Sequence, residues 1–229
     1  MKPDIEIESP HDGYLFRTLR LEPTLQRRGG LVLLQEIFGL DAHIRRDAIR
    51  WAQAGFEVLA PSLFDRCERG FTAAHDPVGI QRGMACLQKT PDDQALGDSA
   101  ACIATLATQG PVFLLGYCYG GRLAWAAAGR LQGIAGAVTY YGNVLATLES
   151  EPQCPVLMHF GVKDPHLPVG EIATAMQKRH PAIPVFLYPE SGHAFNNEGA
   201  AQTHPADASE ARRCTLAFFE QQLAARGHP

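Results

Sequence analysis

Between Phe113 and Ala128 the chain passes from an apolar strand, Phe113-Leu114-Leu115, through the turn Gly116-Tyr117-Cys118-Tyr119-Gly120-Gly121, into a helix. That helix carries small residues on the face it would turn toward a sheet. At the centre of the turn, Gly116-x-Cys118-x-Gly120 has the G-x-S-x-G spacing of a nucleophile elbow, with sulfur in place of the serine hydroxyl. So sharp a strand-to-helix turn strains the backbone, and a side chain two residues to either side of the nucleophile would strike the neighbouring chain. Glycine at both flanks removes that collision. A cysteine here also starts a helix, whose unpaired N–H groups and positive dipole end favour a thiolate and a developing oxyanion. A buried structural cysteine in a Gly-rich turn would show the same spacing, so the motif by itself leaves both readings open.

A chain of 229 residues is long enough for one well-buried α/β domain, and no Pro/Ser-rich linker or composition shift divides it. A single domain over residues 1–229 is therefore expected. Twenty Lys and Arg against 24 Asp and Glu leave a formal charge of −4, which provides no basic footprint for nucleic acid or an anionic membrane. The opening residues Met1 to Glu8 are acidic and alternating, where a secretory signal would need an apolar core behind positive charge. No apolar run approaches the roughly 20 residues of a membrane span. The six cysteines, at 67, 86, 102, 118, 154 and 214, form no C-x-x-C pair and no zinc-like cluster, a pattern that suits reduced thiols in a cytoplasm.

The remaining elements follow in order. Ile5–Glu8 and Tyr14–Glu22, around Pro10-His11-Asp12-Gly13, read as an antiparallel hairpin at a sheet edge. Gly30 to Gln35 is a continuous apolar run, the signature of a strand buried on both faces. It ends at Glu36-Ile37-Phe38-Gly39, where a carboxylate is costly to bury unless it serves as a cap, an ion-pair partner or a ligand-facing group. A helix over Asp41–Ala54 and a strand over Phe56–Ala60 establish β-α-β alternation. Ser62–Gly79 reads as a long excursion near the mouth of a site, followed by helices at Ile80–Lys89, which carries Arg82, and at Asp93–Thr108. Arg82 suits either an anionic substrate or a solvated surface.

Further strands are expected at Ile134–Asn143, which carries Tyr140 and Tyr141, at Pro155–Phe160 and at Pro184–Tyr188. The two tyrosines suit either a pocket wall or a core. Asp164 and His193 fall in the loops after the last two of these strands, whereas His159, inside a strand, reads as a packed histidine. A helix over Leu167–Arg179 separates those strands, and an amphipathic helix over Ala206–Ala224 closes the chain.

Cys118, Asp164 and His193 thus occur in the order nucleophile, acid, histidine, each just after a strand. The chemistry asks for each type: a sulfur nucleophile, an imidazole to move a proton near neutral pH, and a carboxylate to fix its tautomer. With Gln35-Glu36-Ile37-Phe38-Gly39, Gly116-Tyr117-Cys118-Tyr119-Gly120-Gly121, Tyr140-Tyr141-Gly142, Gly161-Val162-Lys163-Asp164 and Gly192-His193-Ala194-Phe195, the chain resembles the dienelactone hydrolase (carboxymethylenebutenolidase) family across nearly its whole length.

The resemblance implies an α/β-hydrolase fold: a mostly parallel central sheet with helices on both faces and an antiparallel N-terminal edge hairpin. It implies a thioester acyl-enzyme on Cys118, hydrolysis of a small ester or lactone, no cofactor and no metal. It gives Glu36 the role of switching the cysteine between thiol and thiolate, and assigns the oxyanion hole to the backbone N–H groups of Ile37 and Tyr119. Phe38, Arg82, Tyr140, Phe195 and Asn197 are the candidate substrate contacts. Family members that act on dienelactone carry an arginine shortly after the histidine, where this chain reads Ala194-Phe195-Asn196-Asn197. An amide holds a carboxylate less well than a bidentate cation. Two alternatives therefore stand: a cysteine-dependent esterase or thioesterase with an unrelated small substrate, and a catalytically silent binding module. A nucleotide-binding fold would need G-x-G-x-x-G after the first central strand, and none is present.

Overall fold

The computed structural model describes residues 4–227, so Met1–Pro3 of the acidic opening segment lie outside the described residues. The chain divides into two compact units, the division falling between Leu114 and Leu115.

The N-terminal unit contains β1 (Ile5–Glu8), β2 (Leu15–Leu21), β3 (Gly29–Leu34), α1 (Ala42–Gln53), β4 (Phe56–Pro61), α2 (Pro77–Gln88) and α3 (Asp92–Ala107). Its strands run in the order β1-β2-β4-β3. β1 lies antiparallel to β2 with Ile5 opposite Thr18, β2 antiparallel to β4 with Thr18 opposite Pro61, and β3 parallel to β4 with Gly29 opposite Phe56. Every residue of β3 and β4 is buried, as continuous apolar runs require. β1 alternates between half-buried and exposed, as expected at an edge.

α1 starts where Asp41 accepts a hydrogen bond from the Ile44 N–H at 2.9 Å, and the chain leaves it through Gly55 at φ +94°. α2 starts three residues before the Ile80 expected from periodicity. Asp76 caps it through the Gly79 N–H at 2.7 Å, and Pro77 occupies the first turn, where a missing N–H costs nothing.

The excursion is correspondingly shorter, and it is ordered. The Asp65 carboxylate accepts from Ser62 Oγ, from the Arg17 N–H and from the Gly70 N–H at 2.7 to 2.8 Å. Thr72 bridges to Gly39. Gly39 sits at φ +75°, and a Cβ there would lie 2.1 Å from the Phe71 carbonyl oxygen. That contact seats the excursion on the turn after β3.

The C-terminal unit takes up β5 (Val112–Tyr117) and continues with α4 (Tyr119–Arg130), β6 (Ile134–Tyr140), a 3-10 turn (Leu145–Thr147), β7 (Val156–Gly161), α5 (Val169–Arg179), β8 (Val185–Tyr188) and α6 (Pro205–Ala224). Its strand order is β5-β6-β7-β8. β6 and β7 are parallel with Ala137 opposite Val156, and β7 and β8 are parallel with Met158 opposite Val185. β6 and β7 are buried throughout, whereas β8 exposes Phe186 and Leu187 as the outer strand. α6 presses Phe218 close to Gly136 of β6, where a Cβ would meet the ring at 3.0 Å.

Mostly parallel strands with the antiparallel pair β1-β2 at the edge make up the expected fold class. Among the described residues no helix is long and apolar enough to cross a membrane.

Candidate active site

The turn between β5 and α4 is a single residue, Cys118, with φ +51° and ψ −110°. A non-glycine residue at positive φ is strained, and the strain is held by the backbone around it. The Cys118 N–H donates to the Tyr140 carbonyl at 3.0 Å, and its own carbonyl accepts from the Arg122 N–H at 3.1 Å. A Cβ on Gly116 would lie 1.9 Å from the Gly120 carbonyl oxygen. One on Gly121 would lie 2.6 Å from the Tyr140 oxygen, and one on Gly142 2.5 Å from the Arg122 nitrogen. These glycines let β5, α4 and the end of β6 converge on the cysteine. Tyr119 is the first residue of α4, so the positive end of the helix dipole lies next to Cys118.

Asp164 lies three residues beyond β7, and His193 follows β8. The His193 Nδ1–H donates to Asp164 Oδ2 at 2.7 Å, while Asp164 Oδ1 accepts from the His166 N–H at 2.8 Å. Both carboxylate oxygens are thus engaged, and the carboxylate is almost fully buried. A Cβ on Gly161 would strike the Gly192 carbonyl at 2.4 Å, so glycine at the end of β7 brings the two loops together.

The Tyr141 ring lies 4.8 Å from the His193 ring and the His166 ring 5.2 Å from it, edge-on. Tyr141 is held at φ +39°; its N–H donates to the His159 carbonyl and its hydroxyl to Asn196 Oδ1 at 2.5 Å. Burial opposes a charge on His193. Hydrogen bonds to Asp164 and to the Cys118 side chain, reinforced by the charges of both, outweigh burial and raise its pKa to about 10. Cys118, His193 and Asp164 are therefore brought together in one hydrogen-bonded line.

The other candidates have different surroundings. Tyr140 is enclosed, its hydroxyl 2.8 Å from Thr215 Oγ1 and its ring 4.4 Å from His159. Phe195 is wholly buried against Tyr140, Tyr141 and Tyr188. Asn197 is also buried, and its Oδ1 accepts from the Gly199 N–H at 2.9 Å, organising the loop after the histidine. His159 is a core residue between the Tyr188 hydroxyl and Thr215, and burial pushes it down to about 3.

In the N-terminal unit Glu36 is buried just after β3, with the Gln35 amide donating to its carbonyl at 3.2 Å. The Ile37 carbonyl faces Gly83 of α2, where a Cβ would lie 2.3 Å away. Phe38 stacks on His75 at 3.8 Å and 19°, and His75 Nε2 donates to Asp41 Oδ2 at 2.6 Å. The Asp41 bond raises the His75 pKa against the effect of burial, with the charges of Asp41 and Glu36 adding to it. Arg82 is committed to Glu68 through both carboxylate oxygens, at 2.9 and 3.1 Å, and lies over the Phe71 ring.

His75, His166 and Asn196 carried no signal in the sequence, because each is placed by a loop without periodicity. Tyr141 had a weak one: it falls near the end of the expected strand Ile134–Asn143, where it suited a pocket wall or a core equally, and the observed β6 ends one residue before it.

The dienelactone hydrolase family model matches residues 16–223. A carboxymethylenebutenolidase from Pseudomonas putida is 32% identical over 232 residues, covering 95% of this chain and 97% of that protein. The solved structure of a candidate dienelactone hydrolase from Klebsiella pneumoniae superposes with a TM-score of 0.81 at 28% identity, covering 95% of this chain and 98% of the other. An alpha-beta serine hydrolase homologue from Coxiella burnetii, at 13% identity, shares the fold with a TM-score of 0.68 over 95% of this chain and 97% of its own. The chain belongs to the dienelactone hydrolase family, α/β-hydrolases that act on ester and lactone bonds.

Proposed function

We propose that the protein hydrolyses small ester or lactone substrates through a thioester on Cys118, with His193 as acid and base and Asp164 as its orienting partner. The observation that carries this reading is the placement of His193 between Asp164 and the Cys118 side chain, with its pKa raised to about 10.

The raised pKa of His193 favours the imidazolium, and the species that attacks is the Cys118 thiolate. The sulfur attacks the carbonyl carbon, and the family resemblance gives the backbone N–H groups of Tyr119 and Ile37 as the donors to the oxyanion. As the tetrahedral intermediate collapses, the C–O bond breaks and His193 protonates the departing alkoxide. In the resulting thioester the sulfur bears no charge, so the part of the His193 shift that came from Cys118 disappears. The imidazole is then a competent base for water. Attack of that water on the thioester expels the thiolate and releases the carboxylic acid, and the proton it gave up returns His193 to the imidazolium. Asp164, anchored by the His166 N–H, holds Nδ1 protonated throughout so that Nε2 faces the chemistry.

Arg82 in its ion pair with Glu68, and the absence of an arginine between Ala194 and Asn197, favour a substrate that is not gripped by its carboxylate. That favours, as a second reading, an esterase or thioesterase acting on a different small molecule. The test is hydrolysis of p-nitrophenyl acetate and of a dienelactone by wild type, Cys118→Ala and His193→Ala. Each variant should lose about 10³-fold or more in kcat/KM. Equal slow release by all three would overturn the mechanism. Turnover of the acetate with none of the dienelactone would select the second reading.

A further inference from the structure

Two cysteines that the mechanism does not use meet in the N-terminal unit. Cys67, in the excursion after β4, and Cys86, on α2, place their sulfurs 2.7 Å apart, and both are free thiols. That separation is well inside the roughly 3.5–4.0 Å at which non-bonded heavy atoms rest. It is within about 0.7 Å of a sulfur–sulfur bond. Four residues before Cys86, on the same side of α2, Arg82 grips Glu68, the neighbour of Cys67, through both carboxylate oxygens. The same two segments are therefore clasped at two points one helical turn apart.

We propose that Cys67 and Cys86 are a dithiol–disulfide couple, closed by a peroxide, that locks the excursion onto α2. Cys67 is half-buried and Cys86 buried, which orders the steps. The Cys67 sulfur attacks one peroxide oxygen, the O–O bond breaks, and hydroxide leaves, taking up the thiol proton as water. The Cys86 sulfur then attacks Cys67, the S–O bond breaks, and a second water leaves carrying the Cys86 proton. Two thiols are oxidised by two electrons, and one peroxide is reduced to two waters. Burial, then the bond to Cys67, push the Cys86 thiol up to about 12, with Glu68 adding to this and Lys89 opposing it. Cys86 therefore stays protonated and is not the thiol that peroxide oxidises first; its attack on Cys67 rests on the contact between the two sulfurs.

The test uses the full chain in the Cys118→Ser background, so that peroxide does not consume the nucleophile. Treatment with hydrogen peroxide should lower the intact mass by two hydrogens and yield a tryptic peptide joining Cys67 to Cys86, both reversed by dithiothreitol. Closing a loop of about 20 residues should also raise Tm by several degrees. Adding Cys67→Ser or Cys86→Ser should abolish the linked peptide and the Tm shift. Recovery of both sulfurs as alkylated thiols after peroxide, or as separate sulfinic acids without a linked peptide, would overturn the proposal. The mass readout on the parent protein does not depend on either serine variant folding.

Discussion

Asp164 divides its carboxylate between two partners: Oδ2 accepts from His193 Nδ1–H at 2.7 Å and Oδ1 from the His166 backbone N–H at 2.8 Å. The backbone bond anchors the carboxylate, so its second oxygen can dictate the orientation and tautomer of the imidazole. In Asp164→Asn the amide can present its N–H₂ to Nδ1 and stabilise the wrong tautomer. In a serine triad the equivalent change costs about 10⁴-fold. A loss of about 10²- to 10⁴-fold in kcat for p-nitrophenyl acetate, with little change in KM, is expected. Steady-state kinetics on the purified variant check this, and a variant within a few-fold of wild type would remove Asp164 from the mechanism.

Stability should depend on pH through the same residue. The folded-state pKa of His193 is raised from 6.5 to about 10, so folding favours its protonated form. That contribution is complete below about pH 6.5 and is lost as pH climbs toward about 10. Wild-type Tm should fall across this window, and Asp164→Asn should show a shallower fall. Thermal melts of the two proteins that run parallel from neutral pH to pH 10 would contradict the pairing.

Gly116→Ala tests the elbow itself. The added methyl would sit 1.9 Å from the Gly120 carbonyl oxygen, a backbone atom that cannot turn aside. Either α4 shifts or β5 does, and the positive-φ geometry of Cys118 goes with it. A destabilisation of about 3 kcal/mol or more, or about 6–12 °C in Tm, is expected together with loss of esterase activity. Differential scanning calorimetry distinguishes this from a change confined to the chemistry.

Glu36→Gln removes a buried charge from the end of β3 without changing its shape. If this carboxylate controls the state of the Cys118 sulfur, as proposed by resemblance, the variant should alkylate at Cys118 with iodoacetamide at a different rate and with a different pH profile. Peptide mass spectrometry isolates Cys118 from the other five cysteines. An unchanged profile would leave Glu36 with a structural role alone. Because the charge of Glu36 helps to raise the His75 pKa, Glu36→Gln should also lower it.

Much of the fold was legible because its signals are local. Continuous apolar runs identify β3, β4, β5, β6 and β7, and each is buried throughout. The start of α2 was displaced because hydrophobic periodicity begins only at Ile80, whereas Asp76 and Pro77 begin the helix by capping chemistry. The 3-10 turn at Leu145–Thr147 has no periodic pattern to read, being shorter than one repeat. His159 was readable as packed because it interrupts an apolar strand, and its surroundings are the Tyr188 hydroxyl and Thr215.

By itself, the sequence determined the order of the elements, the glycines that make the turn at Cys118 possible, and the positions of Asp164 and His193 after successive strands. These follow from steric spacing and periodicity, which act over a few residues. Only the tertiary structure decided which partner each side chain takes. Arg82 lies against Glu68, Cys67 against Cys86, and Tyr141 against His193, while Tyr140, its neighbour, points its hydroxyl at Thr215. Those pairings join segments from 14 to 75 residues apart. They depend on how loops without periodicity come to rest on the strands, and nothing in the local pattern specifies that.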